Sequence, residues 1–236
     1  MKEPNWVTMP NLPGQFPLST DSVLLADFAA ISGEASVFDL GAGSGTIGLL
    51  LCARHPKCRV SGIELQDQSA ALAQEVIRLN NMEDRISVIC GDLRQIASYA
   101  PANRCDAVLS NPPYFPADSG KAAAEDSLAI ARTELCCTLS DVCRAAAYLL
   151  RYGKPFYLVH RPERLCDLMT ELRRYRLEPK RLRFVCHRPS LPPSLVLIES
   201  RLGGNPGLNL LPNLILHDED GTETAEYRRI YGFGGN

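Results

Sequence analysis

The chain has 236 residues, a hydrophobic fraction of 45% and a formal net charge of −2. These values fit one large α/β domain and exclude disorder as the default state. No apolar run approaches the roughly 18 residues that cross a bilayer, and the first residues lack the apolar core of a signal peptide. The nine cysteines show no paired Cys-x-x-Cys spacing, so neither a zinc site nor a disulfide framework is predicted. We therefore expect a cytoplasmic protein.

Alternating apolar and amphipathic segments predict strands joined by helices. An irregular, proline-containing arm (1–20) precedes a helix at about 22–31. Strands are predicted at 36–40, 59–65, 86–89, 105–110, 156–159, 182–186 and 195–198. Helices are predicted at 46–54, around 70–79, at about 133–150 and after Pro162.

The lengths of the connections predict how the strands pair. The early strands alternate with helices and should be parallel, whereas the short Pro-rich turn at 189–193 requires an antiparallel pair. The sequence predicts a Rossmann-like, seven-stranded, mostly parallel sheet with helices on both faces and its last strands antiparallel. We expect a single domain over residues 1–236, ending in an irregular tail at 203–236.

A glycine-rich turn follows the first predicted strand. It carries Gly41, Gly43 and Gly45, and an apolar helical pattern begins directly after it. Glycines let the backbone approach a ligand closely, and the helix N-terminus offers unpaired N–H groups beside it. A structural turn or a dinucleotide site has similar features. The Gly-x-Gly-x-Gly spacing nevertheless differs from the dinucleotide fingerprint, which argues against a dehydrogenase.

Three acids stand at or near the ends of successive predicted strands: Asp39, Glu64 and Asp92. An acid after the second strand can accept hydrogen bonds from ribose hydroxyls. An acid after the third strand can accept one from an exocyclic amine, and Asp39 can order the glycine turn or meet a cationic group. The pattern predicts a nucleoside cofactor laid across the carboxyl edge of the sheet.

The segment from Asn111 to Tyr114, Asn-Pro-Pro-Tyr, ends the fourth predicted strand. A planar amine that must attack a methyl group has its lone pair delocalised into its ring. The Asn111 side-chain oxygen and the Pro112 carbonyl can accept hydrogen bonds from such an amine, and Tyr114 can stack on the base. A Pro-rich turn is the alternative for the segment alone. Its place after the glycine turn and the acids favours catalytic roles for Asn111, Pro112 and Tyr114.

Together these segments resemble class I S-adenosylmethionine-dependent methyltransferases of the amino-methylating kind. The stretches 16–25 and 131–134 narrow the resemblance to bacterial enzymes that methylate N6 of the adenine beside the anticodon of a valine tRNA. The resemblance implies S-adenosylmethionine as cofactor and tRNA as partner. The sulfonium methyl is already activated, so no metal is expected.

The resemblance also assigns roles to single residues. It implies that nine residues bind the cofactor: Thr20, Asp21, Asp39, Gly41, Gly43, Gly45, Glu64, Asp92 and Leu93. In the family pattern the glycine turn and Asp39 hold the methionine part and Glu64 the ribose. Asp92 and Leu93 hold the adenine, and Thr20 and Asp21 close over the cofactor.

Three other functions are compatible with these motifs. Enzymes that methylate a glutamine amide in release factors share the Asn-Pro-Pro-Tyr site but carry an additional helical N-terminal domain. Methylation of guanine N2 is a second alternative. A non-catalytic module that binds S-adenosylmethionine and RNA is a third, although it would have little reason to keep Asn111 and Tyr114 together.

Positive charge is concentrated between residues 161 and 188, where nine cations stand against four acids. Phosphate contacts dominate RNA affinity, and Arg matches phosphate geometry better than Lys. Arg173, Arg174 and Arg181 in this stretch are therefore predicted to contact RNA. The alternative is a solvated helix and edge strand whose cations pair with local acids. The sequence indicates no oligomeric state.

Overall fold

The computed structural model describes residues 19–113 and 137–232. In these ranges nine strands form one sheet: β1 (Ser36–Leu40), β2 (Arg59–Glu64), β3 (Ile86–Cys90), β4 (Ala107–Ser110), β5 (Pro155–His160), β6 (Leu177–Cys186), β7 (Leu195–Leu202), β8 (Asn209–Leu210) and β9 (Leu214–Ile215). The helices are α1 (Thr20–Phe28), α2 (Thr46–Arg54), α3 (Asp67–Leu79), α4 (Leu139–Leu149), α5 (Leu165–Arg174) and α6 (Ala225–Ile230). Two short 3-10 helices span Leu93–Ser98 and Pro162–Arg164.

The strand order is β3-β2-β1-β4-β5-β7-β6-β8, and β9 also pairs with β6. The first five strands are parallel, and β7 is antiparallel to both β5 and β6. Starting from β1, the next strands in the chain, β2 and β3, are added on one side of it in the sheet, and β4 and β5 are added on the other side. The sheet therefore has a topological switch point between β1 and β4, where open α/β sheets bind ligands.

The two faces of the sheet are covered by separate groups of helices. Helices α1, α2, α3 and α6 pack against one face, and α4, α5 and the first 3-10 helix pack against the other. Strands β1 and β4 are buried along nearly their whole length, as expected for parallel strands covered on both sides. No helix in the described ranges has the length and hydropathy needed to cross a membrane.

The predicted fold class is confirmed, with three differences in the C-terminal part of the chain. The sheet has nine strands rather than seven, because β8 and β9 add to β6. The stretch beyond Gly203, expected to be irregular, also contains α6. Strands of two residues carry no readable periodicity, since alternation needs at least four residues to show. Strand β6 is also longer than predicted and begins at Leu177.

Helix α1 is fixed by contacts with the end of the chain. The Asp27 carboxylate forms ion pairs with the guanidinium groups of Arg229, at 3.0 Å, and of Arg54 in α2, at 3.2 Å. The hydroxyl of Tyr231 donates to Oγ1 of Thr20 at 3.2 Å, in the first turn of the helix. The start of α1 lies beside the carboxyl edge of the sheet, where Ser22 contacts Asn111 after β4. Thr20, expected to be the last residue of the irregular arm, is the first residue of α1.

Candidate active site

The glycine turn lies between the carboxyl end of β1 and the start of α2. Gly41, Gly43 and Gly45 all have positive φ, at 75°, 53° and 76°, a region that residues with a side chain enter at a cost. The N–H groups of Gly41 and Ala42 both donate to the Ile63 carbonyl at 3.0 Å, which ties the turn to β2. The turn therefore has the tight, backbone-exposing conformation that the sequence predicted.

Glu64, at the end of β2, is joined to this turn. Its Oε2 accepts the N–H of Gly43 at 2.9 Å, and its Oε1 accepts the N–H of Gln66 at the same distance. Gly62 allows the approach, because a Cβ at that position would lie 2.8 Å from the Cβ of Ala42. The carboxylate is thus held in a fixed orientation at the sheet edge, with lone pairs left for further donors.

Asp39 is almost completely buried, with 1% of its surface exposed. Neither of its carboxylate oxygens has a hydrogen-bond partner in the described part of the chain. Burial and, to a smaller extent, the nearby Glu64 carboxylate raise the pKa of this carboxyl to about 7. A buried acid without partners is costly to the fold unless a ligand satisfies it, so Asp39 indicates a binding site.

Asp92 follows β3 and caps the first 3-10 helix. Its Oδ1 accepts the N–H of Arg94 at 2.9 Å, and the Arg94 guanidinium pairs with its Oδ2 at 2.6 Å. These hydrogen bonds from Arg94 lower the pKa of Asp92, although burial partly opposes the shift. Leu93 is the first residue of that helix and is partly buried. Arg94 is a partner that the sequence analysis did not identify.

Asn111 follows β4 directly and lies at the same edge as the acids. Its Nδ2 donates to the hydroxyl of Ser22 at 3.1 Å and lies 3.5 Å from that of Ser19. The preceding residue, Ser110, donates its own hydroxyl to the Leu40 carbonyl at 2.8 Å. This bond ties the end of β4 to the end of β1. Pro112 is buried beside Asn111.

Tyr114, one of the predicted catalytic residues, and the stretch 131–134, which carries part of the resemblance, fall outside the described ranges. Thr20 and Asp21 are described and form the first turn of α1, close to Asn111 through Ser22. Ser22 was not among the predicted site residues. No local pattern could have identified it, because its partner is 89 positions away in the chain.

The three arginines predicted to contact RNA do not share a face. Arg181 lies on the α1 side of β6, where it pairs with Glu199 and donates to the Phe28 carbonyl at 3.1 Å. Arg173 and Arg174 end α5, on the other side of the sheet. The structure therefore does not bring these three residues into one patch, because strand alternation and helix packing direct them to opposite faces.

Arg173 and Arg174 also lie at the edge opposite the acids. The chain passes from the carboxyl end of β5 through α5 to Leu177, which pairs with Leu202. Arg201, next to Leu202, pairs with Pro155 at the start of β5. Leu177 and the end of α5 therefore lie at the edge of the sheet where β5 begins, whereas the acids lie at the edge where the parallel strands end. The six residues of β5 span roughly 17 Å between these edges. Arg173 is paired with Glu178 at 3.0 Å and Arg174 with Glu171 at 3.4 Å.

Other cations lie at the edge that carries the acids. Arg161 follows His160, the last residue of β5, and Arg164 ends the second 3-10 helix. Arg161 donates to the Ser194 carbonyl at 3.3 Å, and Arg164 pairs with Asp167 at 2.6 Å. Strand β5 neighbours β4, so both arginines lie on the side of the edge where Asn111 is found.

Comparison with known proteins agrees with this geometry. The family model described as "Methyltransferase small domain" matches residues 18–136. A tRNA1(Val) (adenine(37)-N6)-methyltransferase of Porphyromonas gingivalis is 32% identical over 90% of this chain and 86% of its own length. A protein of the same name from Aeromonas hydrophila is 30% identical over 90% and 87% of the two chains.

Solved structures support the fold. A structure described as a predicted O-methyltransferase from Agrobacterium tumefaciens aligns with a TM-score of 0.75 and 22% identity, covering 90% of this chain and 96% of that one. Geranyl diphosphate C-methyltransferase from Streptomyces coelicolor, solved with S-adenosyl-L-homocysteine, aligns with a TM-score of 0.55 and 13% identity, covering 77% and 76% of the two chains. The glycine turn, the acids and Asn111 lie at one edge of the sheet, and the family model matches half the length of the chain. The chain therefore belongs to the methyltransferase small domain family.

Proposed function

We propose that this chain transfers the methyl group of S-adenosylmethionine to N6 of adenine 37, the base beside the anticodon, in a valine tRNA. The observation that carries the proposal is the placement of Asn111. Its side-chain oxygen accepts no hydrogen bond in the described part of the chain, while its nitrogen is held by serine hydroxyls. An acceptor kept open beside the three acids suits a target amine. The similarity to the relatives named above supports the choice of substrate.

The residues at the edge fit the cofactor. Asp39 offers two unsatisfied carboxylate oxygens, which suit the ammonium group of the methionine part. Glu64 retains lone pairs for the ribose hydroxyls, although it already accepts two backbone N–H groups. Asp92 and Leu93 would hold the adenine, and Thr20 and Asp21 would cover the cofactor from α1. When bound, the cofactor supplies a methyl group activated by its sulfonium.

The chemistry of the chain's own residues is positioning. Asn111 Oδ1 and the Pro112 carbonyl would accept the two N–H groups of the adenine amine and direct its lone pair towards the methyl group. Tyr114 would stack on the base. An adenine stacked in RNA must first be flipped out of the stack. Orientation and exclusion of water would then supply most of the rate.

Transfer of labelled methyl from S-adenosylmethionine to separated pools of tRNA, ribosomal RNA, DNA and protein tests the proposal. We expect label in tRNA alone, located in a valine tRNA and lost when its adenine 37 is replaced by guanine. A mock purification that lacks the protein is the control for contaminating activity. Label in protein or ribosomal RNA, with none in tRNA, would contradict the proposal and favour another planar amine.

We also propose that Arg161 and Arg164, rather than Arg173 and Arg174, contact phosphates of the tRNA. Both pairs belong to the cationic stretch, but only the first pair lies at the edge that carries Asn111. A base flipped into the site brings its neighbouring phosphates to that edge. Arg164 of the first pair and both arginines of the second pair form ion pairs with nearby carboxylates. Neutralisation of charge by local acids therefore does not explain a preference for one pair over the other.

The dependence of tRNA affinity on salt separates the two pairs. The variant R161Q/R164Q should have a shallower slope of log K against log salt, by up to roughly one unit for each phosphate that the protein no longer neutralises. The variant R173Q/R174Q removes the same formal charge and serves as the matched control, with its slope unchanged. If the slope changed only in the second variant, RNA would contact the far edge, as the sequence predicted.

A further inference from the structure

The Asn111 amide is held by helix α1, an element distant from it in the chain. Nδ2 donates to Ser22 Oγ at 3.1 Å, and Ser19 Oγ lies 3.5 Å from the same nitrogen. Ser22 is only 7% exposed, so water does not readily replace its hydroxyl. Ser19 Oγ also accepts the Ser22 N–H at 3.3 Å as the cap of α1. The amide nitrogen therefore faces oxygen acceptors on α1.

The orientation of this amide determines what it can recognise. An asparagine side chain has an acceptor oxygen and a donor NH₂ at the two ends of one nearly symmetric plane. With the nitrogen turned to α1, Oδ1 is left as an acceptor, and it has no partner in the described part of the chain. A flipped amide would present N–H groups to the N–H groups of the target amine. Such a flip would abolish recognition without changing the residue.

Helix α1 is itself a rigid support for this contact. Its first turn is bound to Tyr231 through Thr20, and its last turn to Arg54 and Arg229 through Asp27. None of these contacts involves Asn111. The position of Ser22 is therefore set independently of the residue that it holds, as a group that orients another side chain requires.

We propose that Ser22 is a positioning residue that anchors the Asn111 amide through its nitrogen and so keeps Oδ1 available to the target amine, with Ser19 in a supporting role. The inference rests on the proposed amine methylation. It assigns Ser22 no contact with substrate or cofactor, so its effect should reach the reaction only through Asn111. Loss of the hydroxyl should lower kcat and leave the KM for S-adenosylmethionine unchanged.

The test compares Ser22→Ala with Ser22→Thr, which retains a hydroxyl. Ser200→Ala is the matched control, because it removes a fully buried serine hydroxyl that has no hydrogen-bond partner in the described ranges. Steady-state methylation of tRNA at varied S-adenosylmethionine, calorimetric binding of S-adenosylhomocysteine and thermal unfolding are measured for each. We expect kcat to fall about tenfold in Ser22→Ala and to stay within about twofold of wild type in Ser22→Thr and Ser200→Ala.

Combination with Asn111→Ala completes the cycle. If Ser22 acts through Asn111, adding Ser22→Ala to the Asn111→Ala variant should have no further effect on transfer. Wild-type kcat in Ser22→Ala, or an equal loss in Ser200→Ala, would overturn the positioning role. A wild-type protein that methylates no tRNA would instead refute the proposed function, so the two failures are distinguishable.

Discussion

Replacement of Asp39 by Asn should make the stability of the ligand-free protein less dependent on pH. Burial and the Glu64 carboxylate raise the folded-state pKa of Asp39 from 3.8 to about 7. In the folded state the neutral carboxyl is therefore favoured. The stabilisation of the fold by the neutral carboxyl is fully present at a pH below the unfolded-state pKa of 3.8. It is lost as pH rises through the folded-state pKa of about 7. Between pH 5 and pH 8 the wild-type protein should lose roughly 2–3 kcal/mol on this account.

Urea denaturation of the two proteins at half-unit steps from pH 5 to pH 8 measures the effect. Asn carries no titrating proton, so any penalty for its unpaired amide is independent of pH and does not alter the slope. The difference in unfolding free energy should shift by roughly 2–3 kcal/mol in favour of the variant as pH rises. Asp84→Asn, which alters an exposed acid, should track the wild type. Parallel curves for wild type and Asp39→Asn would refute the assignment of a costly buried carboxylate.

The same residue links pH to cofactor binding. If Asp39 meets the ammonium group of the ligand, binding favours its ionised form and releases a proton below pH 7. The affinity for S-adenosylhomocysteine should rise about tenfold per pH unit between pH 5 and 6 and level off near pH 8. Calorimetry in buffers of different ionisation enthalpy counts the proton. The Asp39→Asn variant should bind more weakly at pH 8 and show no proton release.

The other predictions concern the remaining site residues. Asn111→Ala should keep its affinity for S-adenosylhomocysteine while methyl transfer collapses; near-normal turnover would make Asn111 only a turn residue. Glu64→Ala should lose roughly 1–3 kcal/mol of S-adenosylhomocysteine binding, measured by calorimetry, because the ribose acceptor and the support of Gly43 are both removed. Tight NADH binding without binding of S-adenosylhomocysteine would refute that site. Tyr114→Phe should retain more transfer activity than Tyr114→Ala, since stacking needs the ring and not the hydroxyl; equal losses would argue against stacking.

The central architecture and the edge that carries the candidate site follow from local patterns in the sequence. Strand β1 and helix α2 have the predicted bounds, because burial on both faces produces mainly apolar runs and the glycine turn marks their boundary. The order of strands and helices implied parallel pairing, which brings Asp39, Glu64 and Asn111 to one edge. These features depend on local periodicity and connection length, which a single sequence records directly.

The contacts between side chains from distant parts of the chain depend on tertiary packing and could not be predicted. It separated Arg181 from Arg173, because alternation along β6 and packing of α5 direct them to opposite faces. It also added β8 and β9 to the sheet, although two residues are too few to show a pattern. The bond between Ser22 and Asn111 has no sequence signal, since a hydroxyl and an amide 89 positions apart are brought together only by the packing of α1 on the sheet.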